Sequence, residues 1–365
     1  MFKVKITKVR TGTVSAPLKK PFKTAVRSVD SIRDVIVAVE TDSGLIGYGE
    51  APPTGAITGD TTGAILGAID DHIRPTLIGR DGEDLEGNLT ALDHSIMGNT
   101  SPKAALDIAL HDLWAQSLGA PLYRLFGGTG SAIETDVTIS VNEPEEMAQD
   151  AANALSQGYK VLKIKVGKEP SKDFDRLAAI RDAVGYDVAI RIDANQGWAP
   201  SEAVKILGHM EKAGFDLELV EQPVKGGDLD GMAYVTANTS IPVVADESIW
   251  SASDALEIFR RKAADMVNIK LMKCGGLREA RRIIAISETF GAQVMLGSML
   301  EGKISVTAAV HLASAYGAIT RIDLDGPLLC ASDPVEGGAN FVGPGITLCD
   351  DPGLGIRGFR EIQWH

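Results

Sequence analysis

The 365-residue sequence predicts an α/β protein: a (β/α)8-type barrel with an α+β N-terminal capping domain that the C-terminal tail completes. Three observations lead there. From residue 134 onward, short apolar runs recur about every 25 residues. Stretches of helical periodicity, most of them stopped by glycine, separate those runs. Before residue 125 the order differs, with strand-like runs first and helical ones after. Strands alternating with helices describe a parallel sheet, and strands segregated from helices describe an α+β unit.

In the first unit, "KVKITKVRTGTVSAPL" and "RDVIVAVETDSGLIGYGEA" read as strands, the second pair turning at Asp42-Ser43-Gly44. Between them "PLKKPFKTAVRSVDS" (17–31) reads as a loop, and "GEAPPTGAITGD" (49–60) as a second one. From Gly63 to Gly119 the pattern is helical. "SPKAALDIALHDLWAQSLG" is the clearest case, with Ser101 as the expected N-cap and Gly119 as the stop. The expected domains are 1–125 for the cap, 126–344 for the barrel and 345–365 for a tail returning to the cap.

The barrel strands are expected in "ETDVTISV" (134–141), "KVLKIKV" (160–166), "DVAIRID" (187–193) and "LELVE" (217–221). Four more follow in "IPVVADE" (241–247), "DMVNIKL" (265–271), "AQVMLGS" (292–298) and "ITRIDLD" (319–325). Eight similar units over about 200 residues favour closure into a barrel over an open doubly wound sheet. "GLGIRG" (353–358) fits a dinucleotide-binding pattern, but no strand–helix unit follows it, so it is set aside.

Composition narrows the function classes. A hydrophobic fraction of 44% with 23% charged residues is that of an ordinary soluble globular protein. A net charge of −13 argues against an extended nucleic-acid surface and against anionic membranes. The basic N-terminus has no apolar segment behind it, so no signal peptide is expected. Three scattered cysteines suit a reducing cytoplasm and form no metal pattern.

The strand ends carry the chemistry, because barrel active sites lie at the C-terminal ends of the strands. The third run ends in Asp193, the fourth in Glu221 and the fifth in Asp246, 28 and 25 residues apart. One acidic residue after a strand is commonly a helix cap. Three in successive units would meet in one small volume and repel unless a hard divalent cation joined them. All-oxygen ligation points to Mg2+, with Mn2+ next. Asn195 and Gln222 read either as orienting groups or as turn residues, and Glu247 as a partner behind the ligands.

Lys163 and Lys165 stand on one side of the apolar second run "VLKIKVG", beside the strand of Asp193. Lys270 ends the sixth run. In an eight-stranded barrel strands two and six are opposed, so Lys165 and Lys270 would approach a central ligand from two faces. That suits removing a proton from one face of a carbon and returning one to the other. A neighbouring ammonium and a cation would lower a lysine towards neutrality, where it can act as a base. The alternative is that these lysines form structural salt bridges or, as in Schiff-base aldolases, an imine.

"LKIKVG", "RIDANQGW", "VEQPV", "ADES", "NIKLMKCGG" and "GSMLE", in this order over almost the whole chain, resemble the muconate-lactonising subgroup of the enolase superfamily. The resemblance implies one Mg2+ per subunit on Asp193, Glu221 and Asp246, and Lys165 and Lys270 as the acid/base pair. The subgroup includes cycloisomerases, N-acylamino acid racemases and dipeptide epimerases. "RIDLDGP" separates them: Asp323 and Asp325, two apart and expected on one face, would suit a substrate ammonium. Such an Asp-x-Asp pair resembles that of dipeptide epimerases acting on L-Ala-D/L-Glu in peptidoglycan turnover. The same resemblance places Thr138, Ser298 and Leu300 around the substrate and gives its α-carboxylate to Lys163. It gives a glutamate side chain to Arg27, in a loop made basic by Lys19, Lys20 and Lys23. It also implies a homo-oligomer.

Overall fold

The computed structural model describes residues 4–23, 28–167 and 169–365. Arg27 lies outside the described residues.

The cap is a three-stranded antiparallel meander, Ile6–Lys23, Ser28–Thr41 and Ile46–Ala51, with a helix laid against it. That helix, Thr100–Ser117, comes unusually close to the third strand. A Cβ at Gly49 would stand 1.8 Å from the Ala105 carbonyl oxygen, and one at Gly47 2.0 Å from that of Ala109. Only glycine allows this contact. The helix begins earlier than expected: its N-cap is Asn99, in left-handed backbone (φ 52°), and Ser101 is buried in the first turn. The Ser101 N–H instead points to the Asp60 carboxylate (3.4 Å), so a residue distant in sequence serves an otherwise unpaired first-turn amide. Gly119, at φ 66°, ends the helix as predicted.

The stretch 17–31 is not the loop its prolines and charges suggested. The first two cap strands enter it from both sides as an arm, up to Lys23 and from Ser28, pairing Phe22 with Val29 and Lys23 with Ser28. The register slips between Pro17 and Phe22, where the missing proline N–H costs no ladder bond. Tertiary contacts hold the arm down. Lys20 pairs with Asp150 at 2.6 Å, and Lys23 Nζ donates to Asn142 Oδ1 at 2.8 Å.

The eight barrel strands are Val137–Ile139, Val161–Lys165, Ala189–Asp193, Leu217–Glu221, Val243–Ala245, Met266–Lys270, Val294–Gly297 and Ile319–Asp323. They are parallel and lie side by side in chain order. A doubly wound sheet would reverse that order, so this alternative falls. The first and eighth strands approach each other through Asp136 N–H to the Ile322 carbonyl (3.2 Å) and Leu324 N–H to Thr135 Oγ1 (2.8 Å). Along the second strand Leu162 and Ile164 enter the main apolar core, while Lys163 and Lys165 point to the other face.

Buried carboxylates join the cap helix to the barrel and to the tail. Asp107, on the cap helix, accepts the N–H of Leu277 at 2.6 Å and of Arg278 at 3.3 Å, capping the barrel helix Leu277–Thr289. Asp112 accepts Tyr48 N–H at 2.9 Å and Leu354 N–H at 2.8 Å, and burial pushes its carboxyl up to about 6. A Cβ at Gly353 would stand 2.1 Å from Asp112 Oδ1, so the first glycine of "GLGIRG" serves this joint. In the tail, Gln363–Trp364 pairs antiparallel with Gly12 and Thr13. No helix among the described residues is long and apolar enough to cross a membrane.

Candidate active site

Strand register sets the first layer of the site. Lys165 pairs with Asp193, and Asp193 with Glu221, so the three stand level on adjacent strands. Asp246 follows one residue after the fifth strand. Asp193, Glu221 and Asp246 are buried, and a ligand oxygen from each lies within 4.8 Å of the others. The lysines interleave with them. Lys163 Nζ is 2.6 Å from Glu221 Oε2, 2.6 Å from Asp323 Oδ2 and 3.2 Å from Asp193 Oδ2. Lys165 Nζ is 2.6 Å from Asp193 Oδ2, and Lys270 Nζ 2.7 Å from Asp246 Oδ2.

The charges show in the protonation of these groups. Burial works against the ionised form of Asp193, yet Lys165 and Lys163 hold it below the usual range. Asp246 is held well below by Lys270 and Lys273, again against burial. Asp323, also buried, is drawn down to about 2, chiefly by Lys163. With only the protein's own charges acting, two of the lysines, Lys163 and Lys270, are held above their ordinary value. Burial would depress Lys163, but Asp323, Glu221 and Asp193 hold it well above its ordinary value, and Asp246 does the same for Lys270. Four carboxylates around three ammoniums stabilise the charged form of these two lysines.

The acid triad fits a hard cation by its own chemistry. All donors are carboxylate oxygens, they converge, and they are anchored from behind. Asn268 Nδ2 donates to Glu221 Oε1 at 2.8 Å, leaving Glu221 Oε2, which faces Lys163 without an aligned donor hydrogen. Burial and Asp193 push the Glu221 carboxyl up to about 7. Gln222 Oε1 accepts the N–H of Asp246 at 2.8 Å and of Ser248 at 3.2 Å, so it is a strut for the fifth strand end. Asn195 donates its N–H to Asp193 Oδ1 at 2.9 Å and leaves its own Oδ1 buried and unpaired. Burial, with Asp246 and Asp193, raises Glu247 to about 8.

Above this layer lies a small cavity. Lys165, Lys270 and Asp246 form its floor, with Asn195 beside them. Thr138, Ser298, Leu300, Asp323 and Asp325 reach it from the first, seventh and eighth strand ends. Phe22 of the arm and Ile57 of the cap complete it. Lys163 is 1% exposed and sits among the carboxylates rather than on the cavity wall. Asp325 reaches the cavity by a route other than the one expected. The eighth strand ends at Asp323, and Asp325 is in helical backbone (φ −83°, ψ −6°) heading the turn Gly326–Leu329. Its Oδ2 accepts the Thr138 N–H at 2.7 Å, and burial together with Asp323 raises its carboxyl to about 6.

Two residues escaped the sequence reading. Lys273 contacts the Asp246 carboxylate and its carbonyl from the short helix Leu271–Cys274. The signal was a second lysine three residues after Lys270. Asn268, two residues before Lys270 on the same strand, had no signal beyond its polarity in an apolar run.

A capped eight-stranded barrel with these acids and lysines at its strand ends defines an enzyme of the enolase type. Residues 146–361 match the model "Enolase C-terminal domain-like", and residues 6–127 match "Mandelate racemase / muconate lactonizing enzyme, N-terminal domain". The chain belongs to this family and is an isomerase of the enolase superfamily. It is 55% identical over 350 residues to the L-Ala-D/L-Glu epimerase of Clostridium acetobutylicum, covering 96% of this chain and 98% of that one. A substrate-liganded L-Ala-D/L-Glu epimerase from Bacillus subtilis superposes with a TM-score of 0.96 at 47% identity, over 98% of this chain and 100% of that one. A dipeptide epimerase from Enterococcus faecalis, complexed with Mg and L-Leu-L-Tyr, gives 0.93 at 42% identity, over 96% and 99%.

Proposed function

We propose that the protein is a Mg2+-dependent dipeptide epimerase that inverts the α-carbon of the C-terminal residue of L-Ala-D/L-Glu, a dipeptide of the kind peptidoglycan turnover releases. The observation that carries this reading is one cavity with Lys165 and Lys270, from the second and sixth strands, on its floor and Asp323 and Asp325 on its wall. Asp193, Glu221 and Asp246 would hold the metal. When bound, it supplies positive charge to a substrate carboxylate as negative charge develops there.

The chain's own groups account for the remaining steps. Asp323 and Asp325 grip the substrate ammonium, and the Thr138 N–H fixes the orientation of Asp325. Lys163 lends its charge to the carboxylate side of the site. One of the two cavity lysines removes the α-proton and the other returns a proton to the opposite face, Lys165 serving the (R) substrate and Lys270 the (S) substrate. Ser298 and Leu300 line the seventh-strand side, and Arg27 reads a glutamate side chain. The acid pair Asp323 and Asp325 favours this reading over an N-acylamino acid racemase or a cycloisomerase, whose substrates bring no ammonium.

The test is proton exchange in D2O with Mg2+ across L-Ala-L-Xaa dipeptides, read by mass spectrometry. Deuterium should enter the α-position of the C-terminal residue, fastest for Xaa = Glu. Exchange fastest with another Xaa would discard the assignment to glutamate. No exchange with any dipeptide would sink the epimerase reading.

A further inference from the structure

Three carboxyl groups outside the metal-type site meet where the cap touches the seventh barrel loop. Asp34 and Glu50 come from the second and third cap strands, and Glu301 from the loop after Val294–Gly297. They are 1%, 0% and 2% exposed. Among the described residues no ion pair reaches any of them, and Lys270 acts on Glu301 only through space. Each carboxyl accepts from the loop or from the helix that follows it. Gly302 N–H donates to Asp34 Oδ2 at 2.9 Å, Ser305 N–H to Glu50 Oε2 at 3.0 Å, and Met299 N–H to Glu301 Oε1 at 2.7 Å.

The second oxygen of Glu50 is the informative atom. Glu50 Oε1 is buried without a donor, and the Asp34 and Glu50 carboxyls interact with each other. A Cβ at residue 302 would stand 2.3 Å from Glu50 Oε1 and 3.2 Å from Asp34 Oδ2, so Gly302 lets both acids close on the loop. Two ionised carboxylates have only acceptors to offer each other, so a proton must join them. The loop so held carries Ser298, Met299 and Leu300 into the active cavity.

We propose that Asp34 and Glu50 are positioning residues which, by sharing one proton, clamp the cap onto the 298–302 loop and so set the substrate-facing wall of the site. The link to substrate rests on the epimerase reading; the clamp itself does not. Burial first, then Glu50 and Glu301, holds Asp34 well above the carboxylate range, and burial pushes Glu50 and Glu301 up to about 7. No nearby group cancels this. The neighbouring Cys330 thiol is pushed up to about 12 by burial and stays neutral, and Lys303 pairs with Asp333. Because both folded-state values lie above the unfolded ones, stability falls as pH rises above the ordinary carboxylate range. The first proton leaves the pair at about 7, and the clamp is lost as pH rises further, through the later step that takes the proton it shares.

The experiment follows thermal unfolding and dipeptide KM of the full chain from about pH 5 to about pH 10, for wild type, Glu50→Gln and Asp34→Asn. In Glu50→Gln the amide donates to Asp34 while its oxygen still accepts from Ser305, so the proton is made permanent. Wild type should lose Tm and raise KM over this range. Other raised acids titrate in every variant, so the clamp is read as the difference from wild type: Glu50→Gln should show a smaller Tm loss, and a KM rise smaller by roughly five-fold. Asp34→Asn, whose amide donates to Glu50, should do the same and serves if Glu50→Gln does not fold. A wild type with flat profiles, or variants that titrate like wild type, would overturn the clamp. If no dipeptide is turned over, the Tm profiles still decide it, so its failure and that of the epimerase reading are separable.

Discussion

Two groups of buried acids meet at the top of this barrel, and the protein treats them in opposite ways. Asp193, Asp246 and Asp323 each face a lysine within 2.7 Å, and all three are held below the usual carboxylate range. Asp34, Glu50 and Glu301 are equally buried, face no ion-pair partner among the described residues, and are held above it. Burial raises a carboxyl in both places; a facing lysine reverses the sign for Asp193, Asp246 and Asp323, though not for Glu221, which meets Lys163 at 2.6 Å and is still pushed up to about 7. The acids proposed to hold a metal and an ammonium are the ones met by lysines. Asp34 and Glu50, which no cation meets among the described residues, are the ones proposed to share a proton.

The comparison can be broken in several places. The largest effect should come from stripping divalent cations. A chelator should abolish epimerisation, Mg2+ should restore it, and Asp193→Asn should resist restoration, all read by polarimetry or chiral chromatography. Asp325 stands between the two groups, with its carboxyl pushed up to about 6 by burial and Asp323 and no ion pair among the described residues. Asp325→Asn keeps an acceptor for the Thr138 N–H but removes the charge. Loss of a charge-assisted bond of about 1.5–3 kcal/mol predicts roughly a 10–100-fold fall in kcat/KM for dipeptides with a free N-terminus. An unchanged value would remove Asp325 from ammonium binding. The smallest effect concerns a cap carboxylate outside both groups, which caps a barrel helix. Asp107→Ala uncaps the Leu277–Thr289 helix, and stability should fall by about 1–2 kcal/mol in denaturant unfolding, with kcat little changed.

Much of this was legible because it is local. All eight strands fall inside the apolar runs that announced them, and Asp193 and Glu221 stand at strand ends, with Asp246 one residue beyond, because each run stops where its chemistry begins. Elements read by local rules alone were misjudged where a distant partner intervened. Ser101 looked like a cap, yet Asp60 serves its amide. The polar stretch 17–31 looked like a loop, yet contacts to Asn142 and Asp150 hold its described residues as a paired arm. Asp323 and Asp325 share the cavity, but backbone that has left the strand brings the second one there. The Asp34–Glu50–Glu301 cluster joins residues up to 267 positions apart. No spacing rule connects them, since only the packing of cap on barrel brings them together.

The central claim is that the two cavity lysines work on opposite faces of one carbon, and half-reactions of the lysine variants test it most directly. Lys165→Met and Lys270→Met would each be incubated in D2O with L-Ala-L-Glu and, separately, with L-Ala-D-Glu. Each variant should lose epimerisation by roughly 10³-fold, within the range for removing a general acid or base. Lys270→Met should still exchange the α-proton of the D-Glu diastereomer, and Lys165→Met that of the L-Glu one. If both variants exchange both diastereomers, or if either still epimerises at the wild-type rate, the opposed-lysine account is contradicted.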